Sequence, residues 1–327
     1  MSFLGAKTET GEVTKQRIQF AEFLDGTPVS LPVATVGGAS DGPTLYVQAG
    51  LHGDEATGIE ICRIFLNEVV PGQVRGRVVA VPVANVPAHL GRTRGFLHEE
   101  RWMLDVNRIF PGSEAGLLSE RIAHVLFHEF LGHADFSVDL HSALDGCVIA
   151  PFIYITPDDN KNQTLEMRER LGTAFGTPYL YRRPRDSRLG TSDVSRSISA
   201  QADEHSIPMI TAEMGESRRV TAEYVPLGVQ GLFNVMKAMD MLDGEAQPPS
   251  QQRTFNDITL IHANRGGGLR LNVGIGDVVG KGQEIGDVVD VFGEPIETLT
   301  SPVEGFVLRK MLLGSIGTGA EVAWIGH

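Results

Sequence analysis

Seven consecutive residues, Val78-Val79-Ala80-Val81-Pro82-Val83-Ala84, carry no side chain able to hydrogen-bond. A strand without a polar face has to be covered on both sides, so this run calls for a sheet held between layers of helix. The stretch Leu45-Tyr46-Val47-Gln48-Ala49 reads as a second buried strand. It breaks at Gly50 and leads through Leu51-His52-Gly53-Asp54-Glu55 into a helix over about 56–70, which Pro71-Gly72 stops. Gly53-Asp54 between His52 and Glu55 is read as the turn that lets both side chains reach one point.

Further along, helical spacing at 118–132 precedes a strand at 135–140, and strand and helix patterns alternate again at 148–155 and 163–175. Ile207-Pro208-Met209-Ile210-Thr211-Ala212 reads as one more strand, ending at Glu213, before a helix over 226–242. Such alternation predicts an α/β sheet. The segment 243–250 has the composition of a linker, and beyond it glycine-punctuated short strands replace helical periodicity. The expected division is residues 1–246 as the larger domain and 247–327 as a small all-β domain. Within the latter, Gly276–Ile285 echoes Gly314–Val322, as in the two halves of a biotinyl/lipoyl-type sandwich. The hairpin Val291-Phe292-Gly293-Glu294-Pro295 has no lysine to carry a prosthetic group, which argues for a structural or substrate-capping module.

Bulk properties remove several classes of function. A net charge of -13 argues against a nucleic-acid partner, which needs a basic face. No stretch approaches the roughly 18 apolar residues of a membrane span, and the first residues lack the apolar run of a signal peptide. Two cysteines, Cys62 and Cys147, give no disulfide framework. The expectation is a cytoplasmic protein acting on a small molecule, with a homo-oligomer left open.

His52 and Glu55 alone form a weak HxxE pair. His141 ends the strand at 135–140, and neighbouring parallel strands would bring both ends to one edge of the sheet. Two His and one Glu match a hydrolytic zinc site, which keeps three protein ligands and one open position; other divalent ions use similar donors. His128-Glu129-Phe130-Leu131-Gly132-His133 resembles HExxH, but its two histidines are five apart, about 140° around a helix. His124 and His128 have i,i+4 spacing, yet solvated or capping histidines are the simpler reading.

Residues 85–111 read as irregular and polar, and within them Asn107 and Arg108 can grip a carboxylate, with Asp105 orienting one of them; a salt-bridged turn before Pro111-Gly112 is the structural alternative. Arg92, Arg94 and Arg101 lie upstream as candidates to neutralise an oxyanion. Glu213, a carboxylate ending an apolar strand, suits proton transfer from water to a leaving amine. The arginine-rich run at 182–188 reads as a solvated loop or a cationic lid.

With these pieces assembled, the chain resembles the succinylglutamate desuccinylase/aspartoacylase family of zinc-carboxypeptidase-like hydrolases. The resemblance rests on Gly50-Leu51-His52-Gly53-Asp54-Glu55, Asn85-Val86-Pro87-Ala88, Asp105 through Gly112, Asp139-Leu140-His141, Glu213-Met214-Gly215 and the β tail. It implies a mixed sheet flanked by helices and one Zn2+ per chain on His52, Glu55 and His141. It also implies Glu213 as general base and acid, and Asn107 with Arg108 on the carboxylate of a small anionic N-acyl amino acid. The family's oxyanion arginine would be Arg101, nearest the expected spacing from Asp105, or Arg94, which otherwise contacts substrate. Two rivals are a zinc carboxypeptidase and a catalytically inactive metal- or metabolite-binding relative.

Overall fold

The computed structural model describes residues 10–96, 98–99, 105–144, 146–155, 162–183 and 194–327. In chain order these form β1 (Val13–Glu22), β2 (Pro28–Gly37), β3 (Ser40–Ala49), α1 (Ala56–Glu68), β4 (Arg75–Val81), α2 (Val86–Gly91), α3 (Leu118–Val125), β5 (Phe136–His141), β6 (Cys147–Ile155), α4 (Asn162–Phe175), β7 (Tyr179–Arg182), α5 (Ile198–Glu204), β8 (Met209–Glu216) and α6 (Val225–Ala238). Nine strands come after α6: β9 (Arg253–Phe255), β10 (Ile258–His262), β11 (Gly267–Leu271), β12 (Val278–Val279), β13 (Glu284–Val289), β14 (Pro295–Thr300), β15 (Gly305–Met311), β16 (Ser315–Ile316) and β17 (Glu321–Gly326).

The main sheet runs β1-β2-β4-β3-β5-β8-β6-β15-β17-β10. Its centre is parallel, β4 with β3, β3 with β5 and β5 with β8, while β2 and β6 flank it antiparallel. Period-two alternation sends Leu45, Val47, Val138, Leu140, Ile210 and Ala212 into a core with α1, α4 and α6. Tyr46, Val79, Val81 and Met209 enter a second core with α3 and α5. The doubly apolar strands are therefore covered on both faces, as their composition requires.

Four sequence expectations are modified. The helix over 56–70 stops at Glu68, since Val70 precedes Pro71 and is driven to extended backbone. The helical pattern at 118–132 is broken: α3 ends at Val125, a wider turn spans Leu126–Phe130, and Leu126, Phe127 and Phe130 remain buried. The irregular segment after Ala84 holds the short helix α2, with Asn85 Oδ1 accepting from Ala88 N at 3.2 Å. Glu213 is not at the end of β8, because pairing with β6 carries the strand on to Glu216.

Beyond Ser250, β9 returns to pair with β7, and β15 joins the edge of β6 with Arg309 opposite Ile149. A separate four-stranded sheet, β14-β13-β11-β16, closes the small β layer over its own core of Ile261, Val273, Ile285, Val288, Val307 and Ile325. No helix among the described residues is long and apolar enough to cross a membrane.

Candidate active site

The parallel register builds the site. Gln48 pairs with Asp139 and Asp139 with Thr211, while His141 pairs with Glu213. Side chains two apart on a strand share a face, so Tyr46, Gln48, Asp139, His141, Thr211 and Glu213 form one polar stripe across the sheet. β3 and β5 end here, the carboxyl edge where ligands of open α/β sheets collect. Past Ala49 the chain turns at Gly50, whose φ of +63° favours glycine. His52 and Glu55 come next, before α1.

Gly53 holds this turn by close approach rather than by a special φ. A Cβ there would collide with the backbone of Ala88 and His89. Its N donates to Thr93 O at 2.9 Å, and His89 Nδ1 donates to its carbonyl at 3.0 Å. The ligand turn is thus pressed onto α2.

His52, Glu55 and His141 are buried, and their nearest ligand atoms lie within 4.8 Å of one another. Glu55 Oε1 lies 2.7 Å from His52 Nδ1, and Oε2 lies 2.7 Å from His141 Nδ1. Each imidazole meets a second carboxylate on its outer side: His52 Nε2 is 3.2 Å from Asp105 Oδ1 and His141 Nε2 is 2.7 Å from Asp139 Oδ2. A neutral imidazole has one N–H. Spent on the outer carboxylate, it leaves the two Nδ1 lone pairs each facing a Glu55 oxygen at 2.7 Å. Arg94 Nη1, 3.3 Å from His52 Nδ1, is oriented to that lone pair. Such a donor set calls for positive charge at its centre, and two imidazoles, one carboxylate and two outer carboxylates fit a divalent metal.

The electrostatics agree. At Glu55 burial pushes the carboxyl up, but the charges and hydrogen bonds of His52 and His141 outweigh it and hold it far below the usual range. Asp105 behaves alike, with His52, Arg94 and Arg108 overcoming its burial. Burial lowers His141, and the charges of Asp139 and Glu55 more than reverse this. Glu213 goes the other way: burial, reinforced by the charge of Glu55, raises it to about 7 against the pull of His141, His52 and Arg94.

A cavity of ≈450 Å³ opens over the cluster. His52, Glu55, His141, Glu213, Arg94, Asn107 and Arg108 all line it, so the structure brings together seven of the eight residues expected from sequence. Arg101, the eighth, lies outside the described residues. Asp105 organises the loop, accepting from Asn107 N at 2.9 Å and from Arg94 Nε at 2.9 Å. Asn107 Oδ1 accepts from Ile198 N at 2.9 Å, which fixes the orientation of the amide. Of the arginine run, Arg182 pairs with Glu169 at 3.1 Å, Arg183 lines the cavity, and residues 184–188 lie outside the described residues. The His124 and His128 rings lie 4.4 Å apart between centroids, tilted by 45°, and do not line the cavity.

Other residues of the site have no role assigned from the sequence. Asp139 carried a usable signal, a charge inside an apolar run two residues before His141 and so on its face. Tyr154, whose hydroxyl burial and then Glu213 raise well above an ordinary phenol, carried none. Nor did Arg309, Glu321 and Trp324, which reach the cavity from β15 and β17.

Comparison with known proteins agrees with this geometry. The succinylglutamate desuccinylase/aspartoacylase catalytic domain model matches residues 41–239, more than half of the chain and the segment holding all of the metal-type ligands. The N-alpha-acetyl-L-2,4-diaminobutyric acid deacetylase of Halomonas elongata is 26% identical over 305 residues, 91% of this chain and 86% of that protein. The succinylglutamate desuccinylase of Pseudomonas putida is 24% identical over 234 residues, 68% of this chain, and the match spans under two thirds of its length, 64%. Among solved structures, a succinylglutamate desuccinylase/aspartoacylase from Rhodobacter sphaeroides superposes with a TM-score of 0.83 at 25% identity, covering 97% of this chain and 95% of that one. The product-bound ectoine utilization protein EutE (DoeB) from Ruegeria pomeroyi gives 0.85 at 24% identity, covering 96% and 95%, a likeness of fold. By sequence and by architecture, the chain belongs to the succinylglutamate desuccinylase/aspartoacylase family.

Proposed function

We propose that this protein is a zinc-dependent amide hydrolase that removes the acyl group from a small N-acylated amino acid. The observation carrying this reading is that the His52–Glu55–His141 cluster, Glu213 and the Asn107–Arg108 pair all face one cavity. The names of the Halomonas and Pseudomonas relatives, a deacetylase and a desuccinylase, support the same reaction class.

On this reading His52, Glu55 and His141 hold the metal, and the chemistry that zinc supplies there is polarisation of the acyl carbonyl and a more acidic water. Glu213, raised to about 7, is matched to proton transfer near neutral pH. It accepts a proton from water as the new C–O bond forms. It returns that proton to the amide nitrogen as the C–N bond breaks, so one water is consumed and a carboxylic acid and a free amino acid leave. Arg94, beside His52 and 3.7 Å from Glu55, opposes the negative charge growing on the carbonyl oxygen. Asn107 Nδ2 and Arg108 hold the substrate carboxylate. Asp105 and Asp139 orient the two imidazoles.

Residues 1–246 act as the catalytic unit, and 247–327 form a β unit that completes the cavity wall. A cavity of ≈450 Å³ has the size of a small-molecule site, which favours deacylation over carboxypeptidase action. Cys62 and Cys147, buried and in no disulfide, are consistent with a reducing, cytoplasmic setting. Glu213→Gln tests the reading: turnover of N-acetyl or N-succinyl amino acids should fall about 10²–10⁴-fold with bound zinc unchanged. Near-normal activity would remove Glu213 from its role. Faster cleavage of blocked dipeptides would favour the peptidase, and zinc binding without hydrolysis of any N-acyl compound would favour an inactive relative.

A further inference from the structure

The cavity runs along β6, and its two ends differ in chemistry. Antiparallel pairing with β8 sets Tyr154 opposite Thr211, Phe152 opposite Glu213 and Ile149 opposite Gly215. An extra residue between Ile149 and Phe152 brings both Ile149 and Tyr154 onto the cavity face. The two are roughly 16 Å apart along the strand, with Glu213 at the level between them. The Tyr154 end is polar: Arg108 and Arg183 line it, within electrostatic reach of the Tyr154 hydroxyl.

The Ile149 end is apolar. Ala143 N donates to Gly215 O at 3.3 Å, which puts the loop after His141 at this level, and Arg309 opposite Ile149 brings Trp324 to it from β17. Ala143, Leu144, Ile149 and Trp324 line the cavity here, and the charges of Arg309 and Glu321 are spent on each other at 2.6 Å. The apolar surface continues outward. Met311 pairs with Cys147, so the residues after Met311 lie beside those before Cys147. Leu312 N donates to Gly146 O at 2.7 Å, and Leu313 packs on Gly146. Leu144, Leu312 and Leu313 are 38%, 48% and 51% exposed. Single exposed apolar side chains are ordinary. Three leucines at one loop junction, continuous with an apolar cavity wall, mark a place for apolar ligand surface.

Resting on the deacylase reading above, we propose that the acyl group of the preferred substrate is a medium-length aliphatic chain, held by Ala143, Leu144, Ile149 and Trp324 and leaving over Leu312 and Leu313. The α-carboxylate on Asn107 and Arg108 occupies the polar end, and the scissile amide lies beside Glu213. The acyl chain is then the part of the substrate that runs along β6 toward Ile149. From the level of Glu213 to Ile149 is roughly 10 Å of strand, the reach of an octanoyl chain. Each methylene moved from water onto this wall adds about two- to fourfold in affinity.

The test uses the zinc-loaded full chain and measures kcat/KM for glutamate, leucine and lysine, each carrying an acetyl, succinyl, hexanoyl or octanoyl group on its α-nitrogen. For the amino acid turned over fastest, hexanoyl or octanoyl should exceed acetyl by about 10–100-fold, chiefly through KM. Leu144→Asn, and separately the double variant Leu312→Ser/Leu313→Ser, should each lower the octanoyl-to-acetyl ratio by about threefold or more. Acetyl or succinyl compounds cleaved as fast as the octanoyl ones, or faster, overturn the inference whether or not the variants fold. An unchanged ratio in the folded variants does the same. That includes the case in which Leu312→Ser/Leu313→Ser lowers the mass in sedimentation, which would make the leucines a seat for a second copy of the chain. Those outcomes leave the deacylase reading standing, whereas hydrolysis of none of the compounds removes both.

Discussion

Asp139→Asn removes one charge and no volume, and its effect is set by the hydrogen bonds on either side of it. A buried chain runs from Tyr46 OH to Gln48 Oε1 at 2.8 Å, from Gln48 Nε2 to Asp139 Oδ1 at 2.9 Å, and from His141 Nε2 to Asp139 Oδ2 at 2.7 Å. All four residues are at most 2% exposed. If the substituted amide keeps its oxygen toward Gln48, its NH2 faces His141 Nε2. The ring proton then moves to Nδ1, into the gap 2.7 Å from Glu55 Oε2 that a metal needs. If the amide turns round, Gln48 must turn as well, and Tyr46 becomes an acceptor whose own proton is buried without a partner. That costs about 1–3 kcal/mol. Either route should weaken zinc by about 10–100-fold, equivalent to about 1.4–2.8 kcal/mol. Competition titration against a chromophoric chelator reads the affinity, and thermal unfolding checks that the variant is folded. Zinc affinity within about twofold of wild type in a folded Asp139→Asn protein would refute the claim that Asp139 sets the His141 tautomer.

Two further perturbations have defined outcomes. Glu213 has its carboxyl raised from 4.5 to about 7 by burial and Glu55, so in the metal-free protein its stabilising contribution is full below about 4.5 and lost as pH rises through about 7. Urea midpoints of metal-free protein across that window should decline more in wild type than in Glu213→Gln, and parallel curves would show that Glu213 does not titrate this way. Gly53→Ala forces a methyl onto the backbone of Ala88 and His89. It should cost about 1–3 kcal/mol of stability and weaken zinc binding as well, because His52 and Glu55 flank the displaced residue; a variant as stable and as zinc-avid as wild type contradicts this packing.

How much of the fold and site was legible in the sequence depends on the range of the interactions. The strands under Leu45–Ala49 and Val78–Val81 declared themselves because burial on both faces leaves no polar residue to alternate. His52, Glu55 and His141 were legible because two of them share one turn and the third ends a strand, so local pattern and parallel topology suffice. Gly53-Asp54 is the turn that the spacing at 50–55 implies, but the close approach of Gly53 to α2 depends on a helix about 35 residues further on, which that spacing does not encode. Spacing from Asp105 ranks Arg101 ahead of Arg94 for the oxyanion; the contacts of Arg94 with Asp105 and His52 are tertiary and no local pattern encodes them, while Arg101 lies outside the described residues. Arg309, Glu321 and Trp324 were invisible because they sit on ordinary short strands. Their place on the cavity wall exists only once β15 pairs with β6, more than 150 residues earlier in the chain.

The central claim is that His52, Glu55 and His141 hold one divalent ion on which amide hydrolysis depends. Protein stripped with chelator and titrated with Zn2+, with metal content and hydrolysis of an N-acetyl amino acid measured on the same samples, tests it most directly. Hydrolysis should fall to background on stripping and return in proportion to bound zinc, saturating near one ion per chain, while His141→Ala recovers neither. Full hydrolysis by protein that metal analysis shows to hold no ion would contradict the claim.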